Sequence, residues 1–423
     1  MSENVVNHTE RMPEIPAAQP VAEESPNLFS FKMLGMMLFI VLSMYNNASW
    51  GATFIYIAFP TLLFFMSGSY NHIKKSSLWI LVLWLLYFCS TLLSSYVTVG
   101  RDTASFVVFA ASFILAVSMR FTRREIRFLI LFYIFVAFTV VLNIDFQWLT
   151  RHYYQSWARR ASFYIFGKFR DPNYVMAFVA PAFVLALISL YYVKSKAKLL
   201  FLWLFIGSSV IAFVAAGSRA AMLSVLSATV ALIIFNPKLK LKNKVALILL
   251  TGVLVAVGYW LIMKFYNQYA LERFFDSDGS GRLDIWSSAM TVFREHWLFG
   301  GGMNSGSVAS LQAESYSTHS VFVDILCDVG IVGMTVFVIL LVQNCLICKK
   351  ENLGFLIPIA VAFIVPLFFI NGFNTTTFYL PLILMSIFSD HCRKHPFATI
   401  YQAPPAPAGV AAEGLEQAPA QGE

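Results

Sequence analysis

Twelve apolar stretches follow one another along this chain of 423 residues, and they constrain the fold more than any other feature. Each is long enough to cross a bilayer core of about 30 Å as a helix, and none shows the period-two alternation of membrane barrels. Charged residues make up only 12% of the chain, whereas soluble domains average about 25%. We therefore predict an all-α integral membrane protein with about 12 transmembrane helices. The predicted spans are roughly residues 28–47, 51–67, 78–97, 102–119, 125–145, 174–193, 199–215, 220–236, 245–264, 319–345, 354–371 and 374–390.

Basic residues collect in the short connections after the even-numbered spans, and this distribution predicts the topology. Cytoplasmic loops of membrane proteins carry the excess of Lys and Arg, so these loops and both termini are predicted to be cytoplasmic. The odd-numbered loops then face outside, which is the periplasm in a bacterium with an outer membrane. The same rule accounts for the net charge of +8, so no nucleic-acid partner is predicted. These basic residues are Lys74, Lys75, Arg120, Arg123, Arg124, Arg127, Lys194, Lys196, Lys198, Lys238, Lys240, Lys242, Lys244, Lys349, Lys350, Arg393 and Lys394.

The chain ends and two long outside loops differ in composition from the spans. Residues 1–27 bear Pro and Glu and are predicted to form a disordered cytoplasmic tail. Residues 391–423 are predicted to form a second cytoplasmic tail, rich in Pro and Ala. Residues 28–390 then make up one polytopic membrane domain, in which segments 146–173 and 265–318 are predicted periplasmic loops.

The first of these loops is basic, although the charge bias disfavours basic residues outside. Such a segment is typical of an anion-binding site, or of an amphipathic segment lying on the headgroups of membrane lipids. Both interpretations hold if the ligand is a lipid-linked phosphate. The loop ends in Asp171-Pro172-Asn173, and an Asp before a first-turn Pro predicts the N-cap of the next helix. The candidate anion-binding residues of the loop are Arg159, Arg160 and Arg170.

The second loop contains patterns that imitate metal and phosphate sites. Asp276 and Asp278 form a D-x-D pair, and the run that follows resembles the first half of a calcium loop. The twelfth position of that loop is Ser287, where calcium requires a bidentate Glu, so we predict no metal site. The Gly-rich stretch at 300–302 is predicted to be a tight turn, because no Lys-Ser/Thr of a phosphate loop follows it.

Three residues at the outside face carry the functional hypothesis. Arg219 lies between two apolar runs, where a buried Arg costs about 2.5–3.5 kcal/mol unless it faces a cavity or a partner. Taken singly, Arg219 is typical of a snorkelling interfacial residue, Arg282 of a loop Arg, and His319 of a polar helix start. Their shared location predicts one pocket that contains two anion-binding groups and one titratable base. Thr318 or Ser317 is predicted to cap the helix that begins near His319.

Together these positions resemble the O-antigen ligase and polymerase superfamily, which are bacterial inner-membrane transferases that use glycans on a polyprenyl diphosphate carrier. Arg219 is followed four residues later by a Leu, as in the first ligase signature. The second signature, H-[NSQ]-x9-G-x-x-[GTY], is matched from His319 through Gly330 to Gly333. The region around Arg282 is similar to the second Arg region of the family. The Asp-Pro-Asn element also recurs in such proteins, as do twelve spans with a large loop before the His-bearing span.

The resemblance implies transfer of a glycan from undecaprenyl diphosphate, without metal or other cofactor, at a periplasm-facing site in the inner membrane. Arg219 and Arg282 would bind the diphosphate, together with the basic residues of the first loop, Asp171 and Asn173. His319 would act as the base that deprotonates the acceptor hydroxyl, or would bind phosphate as an imidazolium.

Several functions remain open from the sequence. The acceptor is the lipid A–core oligosaccharide for a ligase, another lipid-linked repeat unit for a polymerase, or a protein hydroxyl for a third relative. The match to the His signature favours the ligase. A transporter or flippase of the same lipid is a different class. The spans are nearly free of ionisable residues at mid-depth, apart from Asp324 and Asp328, and this favours an enzyme.

Overall fold

A computed structural model of the chain describes residues 29–45, 50–68, 73–98, 100–150, 161–165, 168–236, 239–265, 281–311, 317–371 and 375–402. This part of the chain is predominantly helical. It also contains an antiparallel hairpin of β1 (Tyr164–Ile165) and β2 (Lys168–Phe169). The α-helices are α1 (Phe31–Tyr45), α2 (Trp50–Met66), α3 (Trp79–Leu92), α4 (Arg101–Ser118), α5 (Arg123–Thr150), α6 (Pro172–Leu190), α7 (Lys196–Ala216), α8 (Arg219–Phe235), α9 (Leu241–Phe265), α10 (Arg282–Glu295), α11 (Ser305–Ser310), α12 (Val321–Leu341), α13 (Leu353–Leu367) and α14 (Thr376–Lys394).

Each predicted span coincides with one of these helices, within the edge error of several residues that sequence patterns allow. The structure therefore agrees with an all-α membrane protein. Four shorter apolar helices of 10–17 residues lie at Phe31–Tyr45, Tyr56–Met66, Ser105–Ser118 and Arg219–Phe235. Twelve crossings and the membrane side of each loop stay predictions. Among the described residues, 6 helices are long and apolar enough to cross a membrane: Lys75–Leu92, Arg123–Thr150, Pro172–Leu190, Lys196–Ala216, Val321–Leu346 and Lys350–Leu367.

The helix ends that carry the basic loops meet at one end of the bundle, which we term the basic end. Lys32 at the start of α1 forms an ion pair with Glu125 in the first turn of α5, at 2.9 Å. Lys74, which precedes α3, forms an ion pair with Asp390 near the end of α14, at 3.4 Å. These ion pairs join the start of α1 to the start of α5, and the start of α3 to the end of α14. We term the opposite end of the bundle the outer end.

The centre of the bundle is formed by α6 and α14. Residues 376–389 of α14 are all buried, and so are residues 175–186 of α6. The buried hydroxyl of Tyr133, on α5, donates a hydrogen bond of 2.5 Å to the carbonyl of Phe178. A helix that is apolar on every face is one that contacts protein or lipid all round, and here protein surrounds these two helices.

The helix that follows His319 is broken in its middle. At Gly330 the backbone has φ 65° and ψ −164°, a conformation that only glycine adopts readily. The Gly-rich turn after α10 fills this break, as expected for a tight turn, and satisfies main-chain groups that the broken helix leaves free. Four hydrogen bonds join the turn to the helix: Ile331 N to Trp297 O at 3.0 Å, Val332 N to Leu298 O at 3.3 Å, Gly301 N to Cys327 O at 2.8 Å and Gly302 N to Asp328 O at 3.0 Å.

Packing at this break explains the two glycines of the H-[NSQ]-x9-G-x-x-[GTY] pattern. A Cβ atom at Gly330 would lie 2.4 Å from the main-chain carbonyl carbon of Leu298. A Cβ atom at Gly333 would lie 2.1 Å from the side chain of Val329. Both distances are far below van der Waals contact, so the glycines of the pattern have a structural function in this chain.

The predicted loop 265–318 includes regular structure. The helices α10 and α11 lie within it and pack beside α12. Neither helix is both long and apolar, so the pattern of apolar spans did not predict them. The D-x-D pair of Asp276 and Asp278 lies outside the described residues, so the prediction that it binds no metal stays a prediction.

Candidate functional site

The residues singled out from the sequence stand at the N-termini of four helices at the outer end. Asp171 precedes α6, Arg219 begins α8, Arg282 begins α10, and His319 lies two residues before α12. A helix N-terminus has free backbone N–H groups and a partial positive charge, so it attracts anions. These four helix N-termini form one site only if contacts hold them together.

The starts of α6 and α8 are joined directly. The Asp171 carboxylate accepts a hydrogen bond from the backbone N–H of Asn173 at 2.7 Å, which confirms the predicted N-cap with Pro172 in the first helical turn. The hydroxyl of Ser218 donates to the side-chain oxygen of Asn173 at 3.0 Å. Because Ser218 immediately precedes Arg219, this bond fixes the start of α8 against the Asp-Pro-Asn element.

The break between α7 and α8 is short and well defined. Gly217 adopts a left-handed conformation with φ 57°, which ends α7, and the chain re-enters a helix two residues later. The polar break at 217–219 therefore separates two helices, as the sequence predicts. Arg219 itself is partly exposed, and it is the first residue of its helix.

The described part of the first outside loop packs against the same region. The amide of Ala161 donates to the carbonyl of Ala215 at the end of α7, at 3.1 Å. The amide of Arg170 donates to Phe163 at 3.0 Å. Burial lowers the pKa of Arg170, and this desolvation is offset when an anion lies close to the guanidinium. Arg159 and Arg160 lie outside the described residues, so their predicted contribution stays untested.

His319 has an unusual backbone and an electrostatic environment set by two of the other starts. Its φ is 53°, a left-handed value that is rare in residues other than glycine. Burial and the nearby guanidinium of Arg282 lower the pKa of His319, while the carboxylate of Asp171 opposes the shift. The imidazole is therefore near both charged groups, and its neutral form is favoured at neutral pH.

Arg282 is held at the start of α10 by its own helix and by an aromatic ring. The guanidinium carbon of Arg282 lies 5.5 Å from the centroid of the Phe369 ring, a cation–π distance. Four residues along α10, the indole N–H of Trp286 donates to the carbonyl of Thr318 at 2.8 Å. This bond ties α10 to the residue that precedes His319.

A cation at a helix N-terminus is opposed by the helix dipole, and this opposition indicates what the site can bind. Arg219 and Arg282 are both first helical residues. A bound phosphate or diphosphate would interact favourably with each guanidinium and with the adjacent free N–H groups. The arrangement is thus suited to a dense negative charge beside a neutral imidazole.

The structure brings most of the predicted residues together. Arg282 and Asp171 both act on the charge state of His319, and the Ser218–Asn173 bond joins the start of α8, which carries Arg219, to the Asp-Pro-Asn element. Sequence reasoning did not identify Trp286 and Phe369 as partners of the site. Trp286 lies four residues after Arg282, so both side chains lie on one face of α10. This spacing would have predicted that Trp286 lies near the site.

The helix cap before α12 also differs from the prediction. A cap was expected at Thr318 or Ser317, whereas Ser320 caps the helix by accepting from the amide of Val323 at 3.4 Å. Thr318 instead donates to the carboxylate of Asp324, and the amide of His319 donates to the hydroxyl of Ser317 at 3.1 Å. The turn before the helix is therefore held by side chains on both sides of His319.

The two carboxylates of α12 have partners in the fold, and Asp324 lies in the first turn of the helix rather than at mid-depth. Asp324 accepts from Thr318, and Asp328 accepts from the hydroxyl of Ser305 at 3.2 Å. Within the described ranges, no group of three or more His, Cys, Asp or Glu side chains is close enough to hold a metal ion.

Comparison with known families gives one match. Residues 199–338 match the model of a family described as O-antigen ligase. The match begins within α7 and ends within α12, so it contains Arg219, Arg282 and His319. No individual curated protein matches the chain.

Proposed function

We propose that this chain, which belongs to the O-antigen ligase and polymerase superfamily, transfers a glycan from undecaprenyl diphosphate to a sugar hydroxyl, and that the acceptor is the lipid A–core oligosaccharide. The observation that carries the proposal is the Trp286–Thr318 hydrogen bond of 2.8 Å, which holds the helix that begins at Arg282 against the turn that contains His319. We place this reaction at the periplasmic face of the inner membrane.

The leaving group determines what the arginines do. As the glycosidic bond to the diphosphate breaks, both electrons of that bond pass to the diphosphate oxygen and negative charge develops there. Arg219 and Arg282 stay charged at any physiological pH and can each donate two hydrogen bonds to phosphate oxygens. We assign them to hold the diphosphate, with Arg159, Arg160 and Arg170 as further cations and with Asn173 and Asp171 fixing the neighbouring helix start.

His319 acts on the acceptor in this scheme. A sugar hydroxyl is a poor nucleophile, and a neutral imidazole can accept its proton while the oxygen attacks the anomeric carbon. The new glycosidic bond forms as the bond to diphosphate breaks, and the proton on the imidazole is released to solvent. The lowered pKa of His319 supports this base assignment over a permanently charged phosphate ligand.

The decisive experiment uses purified full-length protein, undecaprenyl-diphosphate-linked glycan extracted from a deletion strain, and core lipopolysaccharide from the same strain. We expect His319→Ala to lower the transfer rate by about 10²–10⁴-fold, the usual contribution of a general base. His395→Ala, at the basic end, is the matched control and should transfer glycan at the parent rate. Parent-level transfer by His319→Ala would refute the base assignment.

A repeat-unit polymerase of the same superfamily is the second candidate function. The Asp-Pro-Asn element, which recurs in polymerases equally, is joined to the start of α8 through the Asn173–Ser218 bond, and this keeps the preference for the ligase small. The lipopolysaccharide of a deletion strain separates the two functions. A core without attached polymer indicates a ligase, whereas a core that carries one repeat unit indicates a polymerase.

A transporter of the same lipid is a less suitable function. Transporters place their substrate and ion sites near the bilayer midplane, whereas the candidate residues here stand at helix ends. Covalent product formed in detergent, without a membrane gradient, supports the enzyme. Chelator should leave this rate unchanged, and inhibition would indicate a metal site at the D-x-D pair.

A further inference from the structure

The residue before His319 is held by three hydrogen bonds. The Thr318 hydroxyl donates to the carboxylate of Asp324 and accepts from the amide of Ser320 at 3.3 Å. The Thr318 carbonyl accepts from the indole N–H of Trp286 at 2.8 Å. Thr318 is fully buried, so these bonds form away from solvent, where hydrogen bonds hold geometry most effectively.

This anchoring matters because His319 has a left-handed backbone. A residue with a Cβ atom in that conformation is disfavoured by about 1–2 kcal/mol, so neighbouring contacts must hold it. On one side, Thr318 is fixed and the hydroxyl of Ser317 accepts the His319 amide at 3.1 Å. On the other side, Ser320 begins α12 as its cap. The imidazole direction follows from this backbone.

Asp324 is placed to transmit the orientation of α12 to the site. It is buried in the first turn of α12, where its amide donates to the carbonyl of Ser320 at 2.9 Å. Its carboxylate accepts from the Thr318 hydroxyl, so Asp324 joins the first turn of α12 to the turn that contains His319.

We propose that Thr318 and Asp324 are positioning residues for His319, and that their hydrogen bond holds the left-handed turn which directs the imidazole toward Arg282 and Asp171. Neither residue is assigned to touch the substrate. The inference rests on the proposed function, because it assumes that His319 is the base. It adds that Asp324, five residues after His319, contributes to the reaction by holding Thr318 in place.

The test is a double-mutant cycle in the purified transfer assay with the extracted undecaprenyl-diphosphate-linked glycan. We expect Thr318→Val, which removes the hydroxyl and keeps the shape, to lower kcat by about 10²-fold, with little change in KM for the donor. Thr318→Ser keeps the hydroxyl and should restore most of the rate. In the His319→Ala background, Thr318→Val should have no further effect, because the base that it positions is gone.

The outcomes separate this inference from the proposed function. A fully active His319→Ala variant would refute the base assignment. With His319→Ala inactive, parent-level transfer by Thr318→Val, or an additive loss in the double variant, would refute the positioning role alone. If Thr318→Val does not accumulate in membranes, Trp286→Phe removes the bond to the Thr318 carbonyl. It should lower kcat in the parent protein and leave the His319→Ala background unchanged, and any other result counts against positioning.

Discussion

Cations at the two ends of the helical bundle contact different groups. At the basic end, Arg393 donates to the carbonyls of Ile347 and Gln343 at 3.0 and 2.6 Å, and Lys349 donates to the carbonyl of Lys394 at 3.0 Å. These carbonyls belong to helix C-termini, where a positive charge is favourable. At the outer end, Arg219 and Arg282 begin helices, where the dipole opposes a cation. The first group is hydrogen-bonded to main-chain carbonyls, and the second stands at helix N-termini, where an anion binds favourably.

This comparison explains why a count of charges does not locate a site. Most of the basic residues lie at the basic end, where the positive-inside rule accounts for them. The functional hypothesis depends on a few cations at the less charged end. The neighbouring imidazole distinguishes them from basic residues that begin helices at the basic end, such as Arg123 of α5 and Lys196 of α7.

The largest expected effect is on catalysis at the outer end. Arg282→Ala should lower the transfer rate by about 10²–10³-fold, the usual loss when one donor to a developing anion is removed. Arg294→Ala is the matched control, because Arg294 lies in the last turn of the same helix, where the dipole favours a cation. The rates are measured with purified protein. Equal losses of transfer rate in the two variants would show that the position of the arginine at the start of α10 is unimportant for transfer.

A smaller effect is expected on the free energy of unfolding. It compares the broken helix α12 with an ion pair at the basic end. Gly330→Ala forces a Cβ atom against the main chain of Leu298 and should destabilise the protein by about 1–3 kcal/mol. Lys74→Met removes a partly exposed ion pair with Asp390 at the basic end and should cost less than about 1 kcal/mol. Thermal unfolding in detergent measures both. A larger loss for Lys74→Met would contradict the importance of the broken helix.

The smallest expected effect is a shift in pH dependence. Activity should fall as pH decreases through the pKa of His319, because the protonated imidazole is not a base. The guanidinium of Arg282 lowers this pKa, so Arg282→Gln should raise it and move the acid limb of kcat/KM to higher pH. Asp171 raises this pKa, so Asp171→Asn should move the limb to lower pH, while Asn remains a good N-cap. Shifts in one common direction would exclude His319 as the titrating group.

Much of the helical architecture could be predicted because each feature is local. A run of apolar residues forms a helix in lipid wherever it stands, since backbone groups must be satisfied within the segment. The N-cap at Asp171 and the break at Gly217 also follow from neighbouring residues. The cap of α12 was predicted wrongly. Thr318 has the right chemistry for a cap, but its hydroxyl donates to Asp324 in the tertiary structure.

The break at Gly330 could not be predicted in the same way. Glycines are common in apolar spans, so the residue type alone does not predict a break. The backbone conformation of Gly330 is explained only by the turn of residues 297–302, which packs against it. The helices within segment 265–318 were missed for a related cause. The amphipathic α10 is short, and its stability depends on packing against α12, which no local pattern records.

The sequence by itself determined that this chain forms apolar helices and that Arg219, Arg282 and His319 are its candidate site residues. It did so because hydrophobicity, charge bias and motif spacing are properties of short segments. Only the tertiary structure decided that Asp171 and Arg282 set the environment of His319, and that Trp286 and Asp324 hold the turn before it. Those relations join residues far apart in the chain, and they exist only when packing brings the helix starts together.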